Sequence, residues 1–224
     1  MSEKAKTTRR RFVVGAVGAT ALACGGLTLL GTRQPAVEFI ESNCERQEGN
    51  VGDKVLVTYA SRAGSTGEVA EAIGEVLCDG GAAVDVRLAK GVSDVSPYRA
   101  VVVGSAIRTS AWLPEAVEFV KAHREALSRV PVAYFTVCLA MKADTEENRR
   151  RAAAFLDPVR EQVPQVQPVG VGLFAGVLDF SKLPFFYRFM WPLTAGGQTS
   201  EGDYRDWEAI RDWAADLRPG LLGV

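Results

Sequence analysis

The chain has 224 residues, 47% hydrophobic and 24% charged, enough for one well-packed domain plus a tail. A net charge of −1 removes any electrostatic reason to expect nucleic acid as a partner. The four cysteines, Cys24, Cys44, Cys78 and Cys138, include no C-x-x-C pair and His123 is the sole histidine, so no zinc or iron–sulfur site is expected.

Residues 1–33 read as an address and anchor. M-S-E-K-A-K-T-T-R-R-R-F-V-V is a polar, basic start, followed by an uncharged, Gly- and Ala-rich run from Phe12 to Thr32 and then Arg33. Thr8-Arg9-Arg10-Arg11-Phe12 resembles the twin-arginine export signal. Three fates stay open: cleavage after Ala23, lipidation at Cys24 in A-L-A-C, or retention of a run of about 20 residues as a membrane span. Each exports the chain, and a membrane-attached protein facing the extracytoplasmic side is expected. Residues 34–52, with Glu38, Glu41, Glu45, Arg46 and Glu48, read as a polar tether, 53–219 as the folded domain and 220–224 as a tail.

The domain opens with an apolar strand, Val55-Leu56-Val57, bounded by Asp53 and Lys54. A hydroxyl-rich turn follows, Ser61-Arg62-Ala63-Gly64-Ser65-Thr66, and then Val69, Ala70, Ile73, Val76 and Leu77 recur at helical spacing. Strand, turn and helix of this kind form a phosphate cradle: the helix amides, its dipole and the hydroxyls of Ser61, Ser65 and Thr66 converge on one anion. The plainer alternative is a helix-capping turn with no ligand.

Asp79-Gly80-Gly81 stops the helix, and Ala83–Leu88 alternates as an edge strand would. Ala100–Val103 is continuously apolar and reads as central. Its loop, Gly104 to Trp112, is made of small residues interrupted by Arg108 and Trp112, and a helix starts at Pro114. Val132–Leu139 is the fourth strand, Asp144 and Glu147 form a capping box for a helix that Pro158 disrupts, and Val169–Phe174 is the fifth strand. Arg149-Arg150-Arg151 reads as a solvated helix face. The aromatic stretch Phe180, Phe185, Phe186, Tyr187, Phe189 and Trp191 reads first as a connecting helix packed over the sheet, with a lip for an apolar substrate or a membrane-surface contact as the alternative. A last helix, capped by Asp206, buries Trp207, Ile210, Ala214 and Leu217. The series predicts an α/β fold with a doubly wound, five-stranded parallel sheet flanked by helices. No G-x-G-x-x-G follows a strand and no G-K-[ST] occurs.

The stretch V-T-Y-A-S-R-A-G-S-T-G resembles the first FMN loop of the flavodoxin family, with Ser61, Gly64 and Thr66 on its pattern and Ala63 departing from it by one lost hydroxyl. That resemblance implies the flavodoxin-like strand order 2-1-3-4-5 and FMN as cofactor. It assigns the phosphate to Ser61, Arg62, Ala63, Gly64, Ser65 and Thr66. The flavin ring falls to Ser105, Ala106, Ile107, Arg108 and Trp112 on one loop, and to Val137, Cys138 and Leu139 on the next. Y-A-S-R-A-G-S-T, V-V-V-G-S-A-I, the run from Phe174 to Met190 and E-G-D-Y-R-D-W from Glu201 look like the branch of the family that includes the menaquinone-dependent protoporphyrinogen IX dehydrogenases. Where that branch often carries an aromatic residue this chain has Arg108, so Trp112 is expected to stack on the flavin. A cation about 6 Å from the ring at an effective dielectric of 20 favours the anionic reduced form by roughly 3 kcal/mol.

The resemblance thus implies an exported, membrane-associated FMN oxidoreductase whose partner is a quinone or another small redox substrate. The porphyrinogen dehydrogenase reaction itself is one alternative, and a flavin-free interaction module on the same fold is another. A receiver domain is excluded, because Ser61 and Gly104 stand where that fold needs acids. No protein acid or base is assigned a catalytic role, since the cofactor carries such chemistry.

Overall fold

The computed structural model describes residues 37–45, 54–182 and 200–223. The chain divides into two units, one of Val37–Leu178 with Glu201–Val224 and the other of Met1–Ala36 with Asp179–Ser200. The export signal, its apolar run and the aromatic residues 185–191 lie outside the described residues. Among the described residues no helix is long and apolar enough to cross a membrane. In the second unit, the Asp179 carboxylate accepts hydrogen bonds from the backbone and hydroxyl of Ser181 at 2.8 and 2.6 Å and opens a 3-10 turn, Phe180–Lys182.

The first unit is built on β1 (Ser42–Cys44), β2 (Lys54–Ala60), α1 (Ser65–Asp79), β3 (Ala83–Leu88), β4 (Ala100–Arg108), β5 (Ala111–Trp112) and α2 (Pro114–Ala122). It continues through α3 (Arg124–Leu127), β6 (Val132–Val137), α4 (Glu146–Ala154), α5 (Asp157–Gln162), β7 (Pro168–Phe174), β8 (Val177–Leu178), β9 (Gly202–Asp203), α6 (Trp207–Asp216) and α7 (Arg218–Leu222). The parallel strands lie in the order β3-β2-β4-β6-β7, the flavodoxin-like 2-1-3-4-5 order that the family resemblance implies. Both faces are covered, which is why the strands read as unbroken apolar runs. Val55, Val57 and Tyr59 pack with Ile73 and Leu77 of α1 and Ile210 and Ala214 of α6. Leu56 and Ala60, on the opposite face, join Val101 and Val103 under Phe119 of α2, Leu127 of α3 and Val159 of α5.

Four local readings need correction. β3 is not the last strand: β1, drawn from the expected tether, pairs with it antiparallel in the register Ser42↔Val86 to Cys44↔Val84, and Arg87 donates to the Ser42 carbonyl at 2.7 Å. An open edge offers backbone groups to any passing segment, so S-N-C pairs there without an apolar pattern. A disulfide from Cys44 to Cys78, 34 residues apart with Cα atoms at 6.3 Å, fixes that strand to the end of α1 and contributes about 4 kcal/mol by loop-closure entropy. Thr145, not Asp144, caps α4, accepting from the Asn148 amide at 3.2 Å, while Asp144 pairs with Arg149. The fourth predicted strand ends at Val137, because Leu139–Lys142 turn into a 3-10 helix. The expected tail from residue 220 belongs to α7, whose Leu221 and Leu222 are buried.

Gly104 lies where β4 crosses the Phe135 ring, and a Cβ there would overlap it. Gly104→Ala therefore forces a shift in a fully buried ring and lowers stability by about 1–3 kcal/mol, read as a lower melting temperature of the purified chain.

Candidate functional site

The carboxyl ends of β2, β4 and β6 leave the sheet side by side, with Ala60 opposite Ser105 and Ala106 opposite Val137. At about 4.8 Å per strand, the three loops predicted to hold the cofactor span roughly 10 Å. Ligands of open α/β sheets bind at these carboxyl ends.

In the turn after β2, the Ser61 hydroxyl accepts from the Gly64 amide at 3.0 Å and folds the loop back on itself. Gly64 adopts φ +90°, a conformation open to glycine, and begins α1 with no side-chain cap. The Gly67 amide is taken by the Gly64 carbonyl at 2.8 Å, whereas the amides of Ser65 and Thr66 precede any carbonyl the helix can offer. Thr66 is fully buried at 0% exposure, and its Oγ1 has no hydrogen-bond partner. A hydroxyl held so forfeits about 1–3 kcal/mol unless a ligand satisfies it. Uncapped amides together with an unpartnered buried hydroxyl fit a phosphate better than a turn that merely caps its helix.

Arg62 differs from its expected role. Its guanidinium forms a bidentate pair with Glu115 at the start of α2, at 2.6 and 2.9 Å. Burial pushes the Glu115 carboxyl up, but the Arg62 hydrogen bond and charge outweigh it and hold it below the usual range. Arg62 thus ties the turn to α2. Ala63 adds no polar group.

The ring-side loops are more structural than expected. Ser105 is buried, accepting from the Leu113 amide at 2.9 Å and donating to the Ala106 carbonyl at 2.8 Å. β4 and β5 form a hairpin in which Ile107 faces Trp112 across the ladder, and its two turn residues, Thr109 and Ser110, both have positive φ, 53° and 59°, the geometry of a type I′ turn. That turn sends Trp112 inward. At 4% exposure it donates from Nε1 to Thr136 Oγ1 at 2.9 Å and meets Tyr134 edge-on at 5.4 Å, so it does not supply the stacking ring. Arg108 stands at the exposed end of β4. Val137 and Cys138 are also buried, and Leu139 is half-exposed. Ile107 packs against the cluster of Cys138, Met141 and Phe155, which draws the two ring-side loops together. The Cys138 thiol, 7% exposed, is pushed up by burial.

Groups to which the sequence assigned no place at the site complete its surroundings. Tyr204 carries Lys142 over its ring at 4.4 Å and packs against the Cys138 cluster. Arg205, 7% exposed, donates to Glu68 of α1 at 2.7 Å and twice to Asp203 at 2.8 and 2.6 Å, stacked over Trp207 at 4.3 Å. Burial pulls the Arg205 charge down, but Asp203 and Glu68 prevail and hold it protonated, and Arg205 in turn keeps Asp203 below the usual carboxylate range. D-Y-R-D-W therefore staples the first turn of α1, beside the phosphate turn, to the β8–β9 ribbon. Val37 to Ile40 also reach this place: Val37 Cγ1 lies 3.2 Å and the Glu38 carbonyl 3.5 Å from where a Gly64 Cβ would sit.

Residues 56–203 match the family described as a flavodoxin domain. The protoporphyrinogen IX dehydrogenase [quinone] of Escherichia coli K12 is 28% identical over 175 residues, covering 73% of this chain and 94% of that protein. The protein of the same name from Leishmania major is 30% identical over 185 residues, covering 76% and 77%. A solved flavodoxin from the domain Archaea superposes with a TM-score of 0.45 at 20% identity, over 73% of this chain and 95% of that one.

Trp112→Phe keeps the buried ring and deletes the bond to Thr136. It is expected to lower stability by about 1–2 kcal/mol in urea unfolding, with flavin affinity changed less than about twofold.

Proposed function

Because the chain belongs to the flavodoxin-domain family, we propose that it is an FMN-binding oxidoreductase, exported, held at the membrane and coupled to a quinone. The observation that carries the cofactor is the buried, unpartnered hydroxyl of Thr66 at the uncapped start of α1. Ser61, Ser65 and Thr66, with the free amides of the turn, hold the phosphate; the Arg62–Glu115 pair keeps the turn in shape. The loops at 105–108 and 137–139 flank the ring and exclude water from it, with Ile107 as the apolar wall. Bound there, FMN supplies two-electron redox chemistry, and the protein contributes position and field.

Coupling to a quinone is supported by the similarity to the quinone-linked dehydrogenases of Escherichia coli and Leishmania major. Export is supported by Thr8-Arg9-Arg10-Arg11-Phe12 ahead of the uncharged run, and by the Cys44–Cys78 disulfide, a bond that persists in oxidising compartments. A second reading, dehydrogenation of protoporphyrinogen IX, draws on the same relatives. It is weakened by export, since haem synthesis belongs inside the cell.

The purified full chain is expected to be yellow, to release FMN on heating, and to lose its visible absorbance when a reduced quinone analogue is added. A colourless protein that takes up no FMN points instead to a flavin-free module. Thr66→Val deletes the hydroxyl but keeps its volume. FMN affinity falls by about tenfold to a hundredfold, as for a hydrogen bond to a charged group, while the FMN-free protein melts no lower than the parent. Turnover of protoporphyrinogen IX separates the second reading from the first.

A further inference from the structure

Residues 37–45 form a strap with two anchors. At one end β1 pairs with β3 and Cys44 is bonded to Cys78 in the last turn of α1. At the other, the Tyr59 hydroxyl donates to the Ile40 carbonyl at 2.8 Å, and Val37 lies against Gly64. Between them the Leu88 amide donates to Glu41 at 3.2 Å, and Lys90 lies over the Phe39 ring at 5.7 Å. Tyr59 joins the strap to the site. Its ring is fully buried, and its hydroxyl stands 2.7 Å from where a Gly67 Cβ would lie, so one side chain touches both the strap and the first turn of α1. Burial, with the carboxylates of Glu41 and Glu71 nearby, raises the phenol to about 12 even though the Ile40 bond pulls it down, so it stays a donor at neutral pH. What remains between the strap and the turn is a recess of about 40 Å³, bordered by Phe39, Ser61, Arg62 and Lys90.

We propose that residues 37–40 are the outer wall of the phosphate site and that the Cys44–Cys78 disulfide is the clip that holds this wall shut. A three-residue ladder is a weak anchor by itself, so the covalent link decides how often the strap lifts. With the clip closed, the flavin nucleotide enters and leaves slowly; with two thiols in its place, it exchanges freely. Opening takes two electrons and two protons from a pair of thiols, which become a disulfide, or two electrons from a phosphine, which becomes its oxide while water supplies the oxygen and the two protons. Closing returns two electrons and two protons to the disulfide of a thiol-oxidising protein, which is reduced to two thiols. The inference rests on the FMN reading and gives it an order of events. A chain folded in a reducing compartment loads its cofactor with the strap open, and oxidation after export retains it where no supply of FMN exists.

The test compares the full chain in its disulfide form, the same chain reduced with a phosphine, and the Cys44→Ser/Cys78→Ser double variant. FMN release is followed as recovered flavin fluorescence after dilution, and amide hydrogen exchange is read at residues 63–67. Release is expected to be at least about tenfold faster in the reduced and doubly substituted chains, with exchange at the turn faster by a similar factor. Tyr59→Phe, which leaves the disulfide intact, should fall between. Equal release rates, or equal exchange at 63–67, overturn the proposal. If no form binds FMN, the functional reading fails, and exchange on the unliganded chain still decides the strap. If the double variant does not fold, the comparison of the parent before and after phosphine reduction decides it instead.

Discussion

Parallel strands pair only across a crossover, and a sheet built from them has to be dry on both faces. Nearly everything in the first unit follows from that constraint. Val55, Val57 and Tyr59 are buried on one side of β2 and Leu56 and Ala60 on the other, so from Val55 onward the strand has no solvated position. α1 and α6 cover one face and α2, α3 and α5 the other, so polar side chains within the strands are few, such as Thr58 and the Lys54-paired Asp85. The crossovers then deliver the turns after β2, β4 and β6 to one rim, and the candidate site is placed by topology before any side chain specifies it.

Within that rim, chemistry separates the turn after β2 from its neighbours. The loops after β4 and β6 satisfy their own polar groups: Ser105 bonds the Leu113 amide, Trp112 bonds Thr136, and the Cys138 amide donates to Phe174 at 2.9 Å. The turn from Ser61 to Thr66 leaves a buried hydroxyl and helix amides unanswered. The burial of Trp112 against Thr136 and Tyr134 takes its indole face away from the rim.

The sequence carried the sheet clearly because its signal is local. V-L-V, A-V-V-V and V-A-Y-F are apolar runs that only a doubly buried strand explains, and the glycine and hydroxyl spacing of residues 61–66 is compact enough to read directly. What escaped was non-local. S-N-C at 42–44 has no pattern of its own and joins the sheet through backbone groups and a cysteine 34 residues away. Trp112 sits among small residues that suggest an exposed loop, but the positive φ of Thr109 and Ser110 turns the chain back and points the indole inward. Arg62 looks like a phosphate ligand until Glu115, 53 residues on, is brought beside it. Asp144 and Thr145 are both credible caps, and backbone geometry chose the second.

The burial of Cys138 bears on how the chain matures. Three cysteines lie within the described residues, and one bridge among them has three ways to form. Sulfur exchange proceeds through the thiolate, and the Cys138 sulfhydryl is both enclosed and kept protonated by its surroundings. It therefore takes no part in scrambling. Among the described cysteines, packing rather than thiol reactivity thus selects the Cys44–Cys78 bridge.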